Sequence, residues 1–191
     1  MLPNTCSVIP QARSLTALSR INSNLLLWGI AAACIAAVVI ALISQHVYGM
    51  QPCAWCVLQR MAFLAVALSC GLALLIRNLA AQFFIHAVAI GYSVSGIASA
   101  LWQHFNAASS ISCTPSLADR TLAKLGFDVW APGLFAPRAS CTDSAVNLLG
   151  IPYEFWSLTA FVLVTGALLL SAGLGISEHR HRHRTALTPT Q

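Results

Sequence analysis

Apolar positions in this chain gather into four blocks, 25–43, 57–76, 83–102 and 155–176, with polar segments between them. As a helix, each block can cross a hydrocarbon core, which takes about 20 residues. The first and last contain no charged residue, the second carries Arg60 near its start, and the third carries His86. Leu, Ala, Val and Ile dominate, with enough Gly and Ser for close helix packing. The pattern predicts an all-α integral membrane fold, a bundle of four transmembrane helices in one domain. The first block is too long for the core of a cleaved signal peptide, about 7–15 residues. It runs into Ser44-Gln45-His46 and is expected to stay as an anchor.

The polar segments set the connections. Residues 1–22 contain Pro3 and Pro10 and no sustained period, which predicts a loose tail. Residues 78–82 predict a tight turn that makes the second and third spans antiparallel neighbours. Residues 44–56 form a short connection and 103–154 a long one. Within the long one, Pro115-Ser116 followed by Asp119 resembles a capping box. Leu117, Leu122 and Leu125 would then line one side of a short helix ending near Gly126, lying flat on the membrane surface. Trp130, Pro132, Leu134, Phe135 and Pro137 suit the interface beyond it. The tail 177–191 is polar, and its alternating His and Arg read as a solvated, positive anchor.

Composition excludes a soluble domain: 58% of residues are hydrophobic and 8% charged, against about 25% charged in a typical globular domain. The net charge of +5 gains meaning from its placement. Arg13, Arg20, Arg77, Arg180, Arg182 and Arg184 fall on segments that share one side, expected to be cytoplasmic. In the long loop Arg120, Lys124 and Arg138 are balanced by Asp119, Asp128 and Asp143. Both termini are therefore expected inside, with 103–154 as an outer, periplasmic loop. The basic surplus reads as a topology signal, and no nucleic-acid partner is expected.

That topology sorts the seven cysteines. Cys6 lies in the inner tail, where thiols stay reduced. Cys34 and Cys70 lie inside spans, where cysteine acts as a small apolar filler. Cys53, Cys56, Cys113 and Cys141 all fall on the outer, oxidising side, an even number that two disulfides require. Cys53-Ala54-Trp55-Cys56 is a C-x-x-C where a span begins, and a helix N-terminus favours thiolate over thiol. Arg60 lies one turn beyond Cys56 on the same face. A guanidinium at that depth needs a partner, either a Cys56 thiolate or an oxygen of a bound electron acceptor. On these residues alone a static disulfide stays open, and so does half a metal site with His46, His104 or the loop cysteines. No H-x-x-H or second C-x-x-C completes a zinc pattern, so no metal is expected. Cys113 and Cys141 read equally as a fixed loop staple or an exchangeable disulfide.

Pro52-Cys53-Ala54-Trp55-Cys56-Val57-Leu58-Gln59-Arg60 resembles the P-C-x-x-C-x-x-Q-R signature of the DsbB family of disulfide bond formation proteins. The likeness extends over nearly the whole hydrophobic chain. Gly150-Ile151-Pro152 leading to Trp156 is similar to the family's entry to its last helix, with a longer spacing from proline to tryptophan. The vitamin K epoxide reductase family orders its cysteine pairs the other way round. The resemblance implies a multi-pass thiol:quinone oxidoreductase of the bacterial inner membrane, with disulfides Cys53–Cys56 and Cys113–Cys141. A reduced DsbA-type periplasmic oxidase would attack Cys113, release Cys141, and pass electrons by internal exchange to Cys53–Cys56. DsbA is strongly oxidising, about −120 mV, so its reoxidation calls for an acceptor such as a membrane quinone, ubiquinone or menaquinone. Cys56 would meet the quinone, Arg60 would stabilise negative charge there, and His104 and Gln59 are further quinone-site candidates. His86, deeper, is expected to pack. The competing class is a non-catalytic membrane protein whose cysteines staple it or bind a metal for transport. A relative dedicated to one client is a third possibility.

Overall fold

The computed structural model describes residues 9–76, 78–107, 115–142, 147–148 and 150–187, with side chains described for all but 9–22, 107, 147–148 and 177–187. Chain order runs α1 (Ile9–Val47), α2 (Ala54–Leu75), α3 (Leu79–Trp102), a π-helical turn Gln103–Ala107, α4 (Leu117–Leu125), α5 (Phe127–Trp130), α6 (Pro132–Phe135), β1 (Asn147–Leu148), β2 (Ile151–Pro152) and α7 (Tyr153–Leu187). Stretches apolar and long enough to cross a membrane are Ser23–Val47, Ala54–Leu75, Leu79–Asn106 and Tyr153–Ile176. All four predicted blocks are therefore membrane-capable helices.

Two expectations about the segments flanking the spans need correction. Residues 9–22, expected to be loose, continue α1, and the tail beyond 176 continues α7 as far as Leu187. Once a span has met the cost of nucleation, each further residue adds a hydrogen bond cheaply. Pro10 sits in the first turn of α1, where its missing N–H costs nothing. The turn between α2 and α3 is also tighter than 78–82. Asn78 is already the N-cap of α3, its Oδ1 accepting from the Ala80 N–H at 3.0 Å. Gln82 lies within α3 and donates back to the Ile76 carbonyl at 2.7 Å.

The four long helices form a ring in the order α1–α2–α3–α7, each packed on two neighbours. At its centre the Phe63 and Phe161 rings stack with centroids 3.8 Å apart and planes 7° from parallel. Leu27, Ile30, Val66 and Leu168 extend the same buried core along the bundle, with Cys34 and Cys70 within it. Ser93 ties α3 to α7 through the Thr165 hydroxyl at 2.8 Å and the Phe161 carbonyl at 3.2 Å. His86 serves a similar packing role further along, bonding the Gln82 carbonyl at 2.8 Å and approaching Ser171 Oγ at 3.4 Å.

Antiparallel alternation brings the ends of α1 and α3 and the starts of α2 and α7 to one end of the bundle, and the connection between α3 and α7 covers that end. In α4 the capping box is present: the Asp119 N–H donates to Ser116 Oγ at 3.2 Å, and the Ser116 N–H to Asp119 Oδ2 at 2.8 Å. Gly126 ends α4 at φ +67°, where glycine carries no Cβ penalty. The buried face of α4 differs from the predicted one. Ala118 and Leu122, one turn apart, pack on Cys53, Trp55 and Val57, while Leu117 and Leu125 are exposed. Helix α4 thus lies against the start of α2. Before α7, β1 and β2 pair antiparallel around Gly150 at φ +79°, so that α7 begins directly after Pro152.

Candidate thiol redox site

Cys53 caps α2 with extended backbone (φ −82°, ψ 170°), and its carbonyl accepts the first helical bond, from Val57 N–H at 3.1 Å. Its sulfur is fully buried at the helix N-terminus, 3.2 Å from that of Cys56. The two stand as thiols in contact, set for exchange chemistry. The connection between α3 and α7 supplies a third. The Arg138 and Ala139 N–H groups donate to the Pro52 carbonyl at 2.9 and 3.4 Å, and Phe135 packs beside Cys53. That leash delivers Cys141 to Cys53. The side-chain hydrogen bond with Cys53 pushes the Cys141 thiol up from the ordinary range, and burial and the nearby Cys53 and Cys56 add to it; a backbone hydrogen bond with Trp55 works the other way. Cys113, the expected partner of Cys141, lies outside the described residues.

Cys56 faces a cavity of about 250 Å³. Three helices line it with the same spacing: Ala37, Ile40 and Ala41 from α1, Cys56, Gln59, Arg60 and Phe63 from α2, and Tyr153, Trp156, Ser157 and Ala160 from α7. Positions i, i+3, i+4 and i+7 share one face of a helix, so these three stripes enclose a single space. Cys56 and Arg60 meet there as their one-turn separation implied. The guanidinium also has partners that the sequence did not indicate. Arg60 donates to Gln45 Oε1 at 2.6 Å, to the Ala41 carbonyl at 3.2 Å and to the Leu134 carbonyl at 3.4 Å. Gln45 donates in turn to the Gly133 carbonyl at 3.4 Å. The arginine therefore sits in a neutral cradle of oxygens, which holds its charge at low exposure and also tethers α6.

Gln59 and His104 lie in different surroundings. Gln59 lines the cavity and donates to Gln103 Oε1 at 2.9 Å, and the Gln103 amide nitrogen lies 3.4 Å from the Cys56 sulfur. His104, the next residue in the π-helical turn, points instead to α7, where Nδ1 lies 2.9 Å from Glu154 Oε1. Its ring contacts Phe155 edge-on, 4.7 Å between centroids, and it is not among the cavity-lining residues. Gln45, Gln59, Arg60, Gln103 and Glu154 are each 6% exposed or less, so the site is a buried polar cluster. Gln45, Gln103, Tyr153 and Glu154 were not singled out from the sequence. The available signal was that Gln45 and Gln103 are amides at the outer ends of apolar runs, where polar side chains need partners.

The model of disulfide bond formation protein DsbB matches residues 23–171. The chain is 31% identical over 155 residues to disulfide bond formation protein B 1 of Pseudomonas entomophila, covering 78% of this chain and 87% of the relative. It is 29% identical to disulfide bond formation protein B of Herminiimonas arsenicoxydans over 79% of this chain and 96% of the relative. For the Pseudoalteromonas atlantica protein of that name, identity is 27% over 78% of this chain and 89% of the relative. With these matches, four membrane-capable helices and a C-x-x-C at the head of the second, this chain belongs to the DsbB family of disulfide bond formation proteins, multi-pass membrane oxidoreductases.

Proposed function

We propose that this protein reoxidises a DsbA-type thioredoxin-fold dithiol oxidase on the outer side of the bacterial inner membrane and delivers the electrons to a membrane quinone. The observation that carries the reading is a line of sulfurs: Cys141 is hydrogen-bonded to Cys53, Cys53 touches Cys56, and Cys56 opens on a cavity that also holds Arg60. A partner thiolate attacks Cys113, breaking the Cys113–Cys141 bond and releasing Cys141. The partner's second thiol then displaces Cys113, and the partner leaves oxidised. Cys141 attacks Cys53 of the Cys53–Cys56 disulfide, and Cys56 departs with the electron pair. Cys113 then closes on Cys141 and frees Cys53. Two electrons now rest on the Cys53–Cys56 dithiol.

The size and lining of the cavity support a quinone ring as its occupant. An apolar cavity of about 150 Å³ takes benzene, and this one, about 250 Å³, combines Trp156 and Phe63 with the donors of Arg60 and Tyr153. A quinone held there supplies a two-electron, two-proton acceptor that returns Cys53 and Cys56 to the disulfide. Arg60 is placed to stabilise negative charge in the cavity, and the buried surroundings strengthen that interaction. The basic residues Arg13, Arg20, Arg180, Arg182 and Arg184 support cytoplasmic termini, with the sulfurs at the opposite, outer end.

Purified protein in lipid with a quinone should oxidise a reduced DsbA-type partner, read as loss of partner thiols together with quinone absorbance. Cys56→Ser should abolish quinone reduction. Arg60→His should weaken apparent quinone affinity about tenfold, a loss of about 1.4 kcal/mol, while the protein still inserts. No turnover with any reduced thioredoxin-fold partner would reject the reading.

A further inference from the structure

The geometry points to Gln103 as the hydrogen-bond donor that stabilises the Cys56 thiolate, with Gln59 as the positioning residue that turns its amide the right way. The inference rests on the reading of Cys56 as the thiolate facing the acceptor. Gln103 is a buried amide at the start of the π-helical turn, with its nitrogen 3.4 Å from the Cys56 sulfur. A π-helical turn widens the helix and re-aims its side chains, and such turns gather at functional sites. Here it sends Gln103 to α2 and His104 to α7, where Glu154 holds it at 2.9 Å.

An amide can present either end to a sulfur. Its oxygen would repel a thiolate; its N–H groups would stabilise one. Gln59 decides between them, because its own N–H donates to Gln103 Oε1 at 2.9 Å. The Cys56 thiol also reaches that oxygen as a donor, at 3.8 Å, but the Gln103 nitrogen lies nearer the sulfur, at 3.4 Å, and once Cys56 has lost its proton only the N–H end can bond it. A hydrogen bond to the charged form of a group favours that form, and at a desolvated sulfur the effect is large. Gln59 lies one turn from Cys56 on α2, so the C-x-x-C-x-x-Q segment carries both the thiol and the group that orients its donor.

The test is the pH dependence of Cys56 alkylation in the full-length protein in lipid, in a Cys53→Ser background, followed on the Cys56 peptide by mass. Gln103→Leu should raise the midpoint by about one pH unit, about tenfold less thiolate at neutral pH. Gln59→Leu should raise it by a smaller amount, and should add nothing once Gln103 is already Leu. Should Gln103→Leu fail to insert, Gln103→Glu keeps the shape without the donor and should raise the midpoint further. A folded Gln103→Leu protein with an unmoved midpoint overturns the assignment, as does full additivity of the two substitutions. Alkylation needs no quinone, so it is read whether or not the protein reduces one. If quinone turnover is also present, Gln103→Leu should weaken any visible thiolate–quinone band.

Discussion

Cys141 shows how a single residue couples the loop to the redox centre. Its thiol is held above the ordinary cysteine value of 9.0, first by the hydrogen bond with Cys53 and then by burial. The folded, reduced protein therefore keeps this proton where an unfolded chain would lose it. The stabilising contribution is complete below about pH 9 and is lost as pH rises through the folded value. Alkylation of Cys141 in reduced protein should accordingly titrate above 9.0, and Cys53→Ala should bring the midpoint down. A midpoint unaffected by Cys53→Ala would separate the two residues. At this scale the sequence announced Cys53, Cys56 and Arg60, because a C-x-x-C with an arginine one turn on is a local pattern. Gln45 and Gln103 were silent, since their partners lie on other helices: Arg60 is 15 positions from Gln45, and Cys56 is 47 from Gln103.

At the scale of elements, α3 and α7 are in close contact where Gly96 faces Phe161. A Cβ on residue 96 would overlap the edge of the Phe161 ring, which is fully buried and stacked on Phe63. The ring has no room to yield. Gly96→Ala should destabilise the bundle by about 1–3 kcal/mol, the usual cost of overpacking a core, seen as a lower melting temperature of the helical signal in detergent. An unchanged melt would mean that α7 can shift outward freely. The helices themselves were readable from hydrophobic run lengths, and α4 from its capping box. Which side of α4 is buried was not readable, because that depends on the start of α2 against which Ala118 and Leu122 pack.

For the whole molecule, the ring of helices sets the start of α1 and the end of α7 at the end away from the sulfurs. Tags at the N- and C-termini should be digested only in inverted membrane vesicles, whereas Cys141, half-buried, should react once reduced with an impermeant maleimide from the outer side. Termini exposed outside, or Cys141 labelled only from the inner side, would end the proposed cycle. The basic residues beside the spans argue for the first outcome, since moving arginine across the bilayer during insertion is disfavoured.

Length and hydropathy alone settled that four helices cross a membrane, because unpaired backbone groups cannot be left in lipid and a helix satisfies them within its own segment. The local signature likewise determined where the C-x-x-C stands relative to the second helix. Tertiary structure decided what surrounds it. Three stripes from α1, α2 and α7 close around one cavity, a carbonyl and amide cradle takes up the Arg60 charge, and the connection between α3 and α7 folds back to bring Cys141 to Cys53. Those relations arise from side chains distant in the chain meeting across helices, and hydropathy, which reports each segment's affinity for lipid, carries no record of which neighbour it will face.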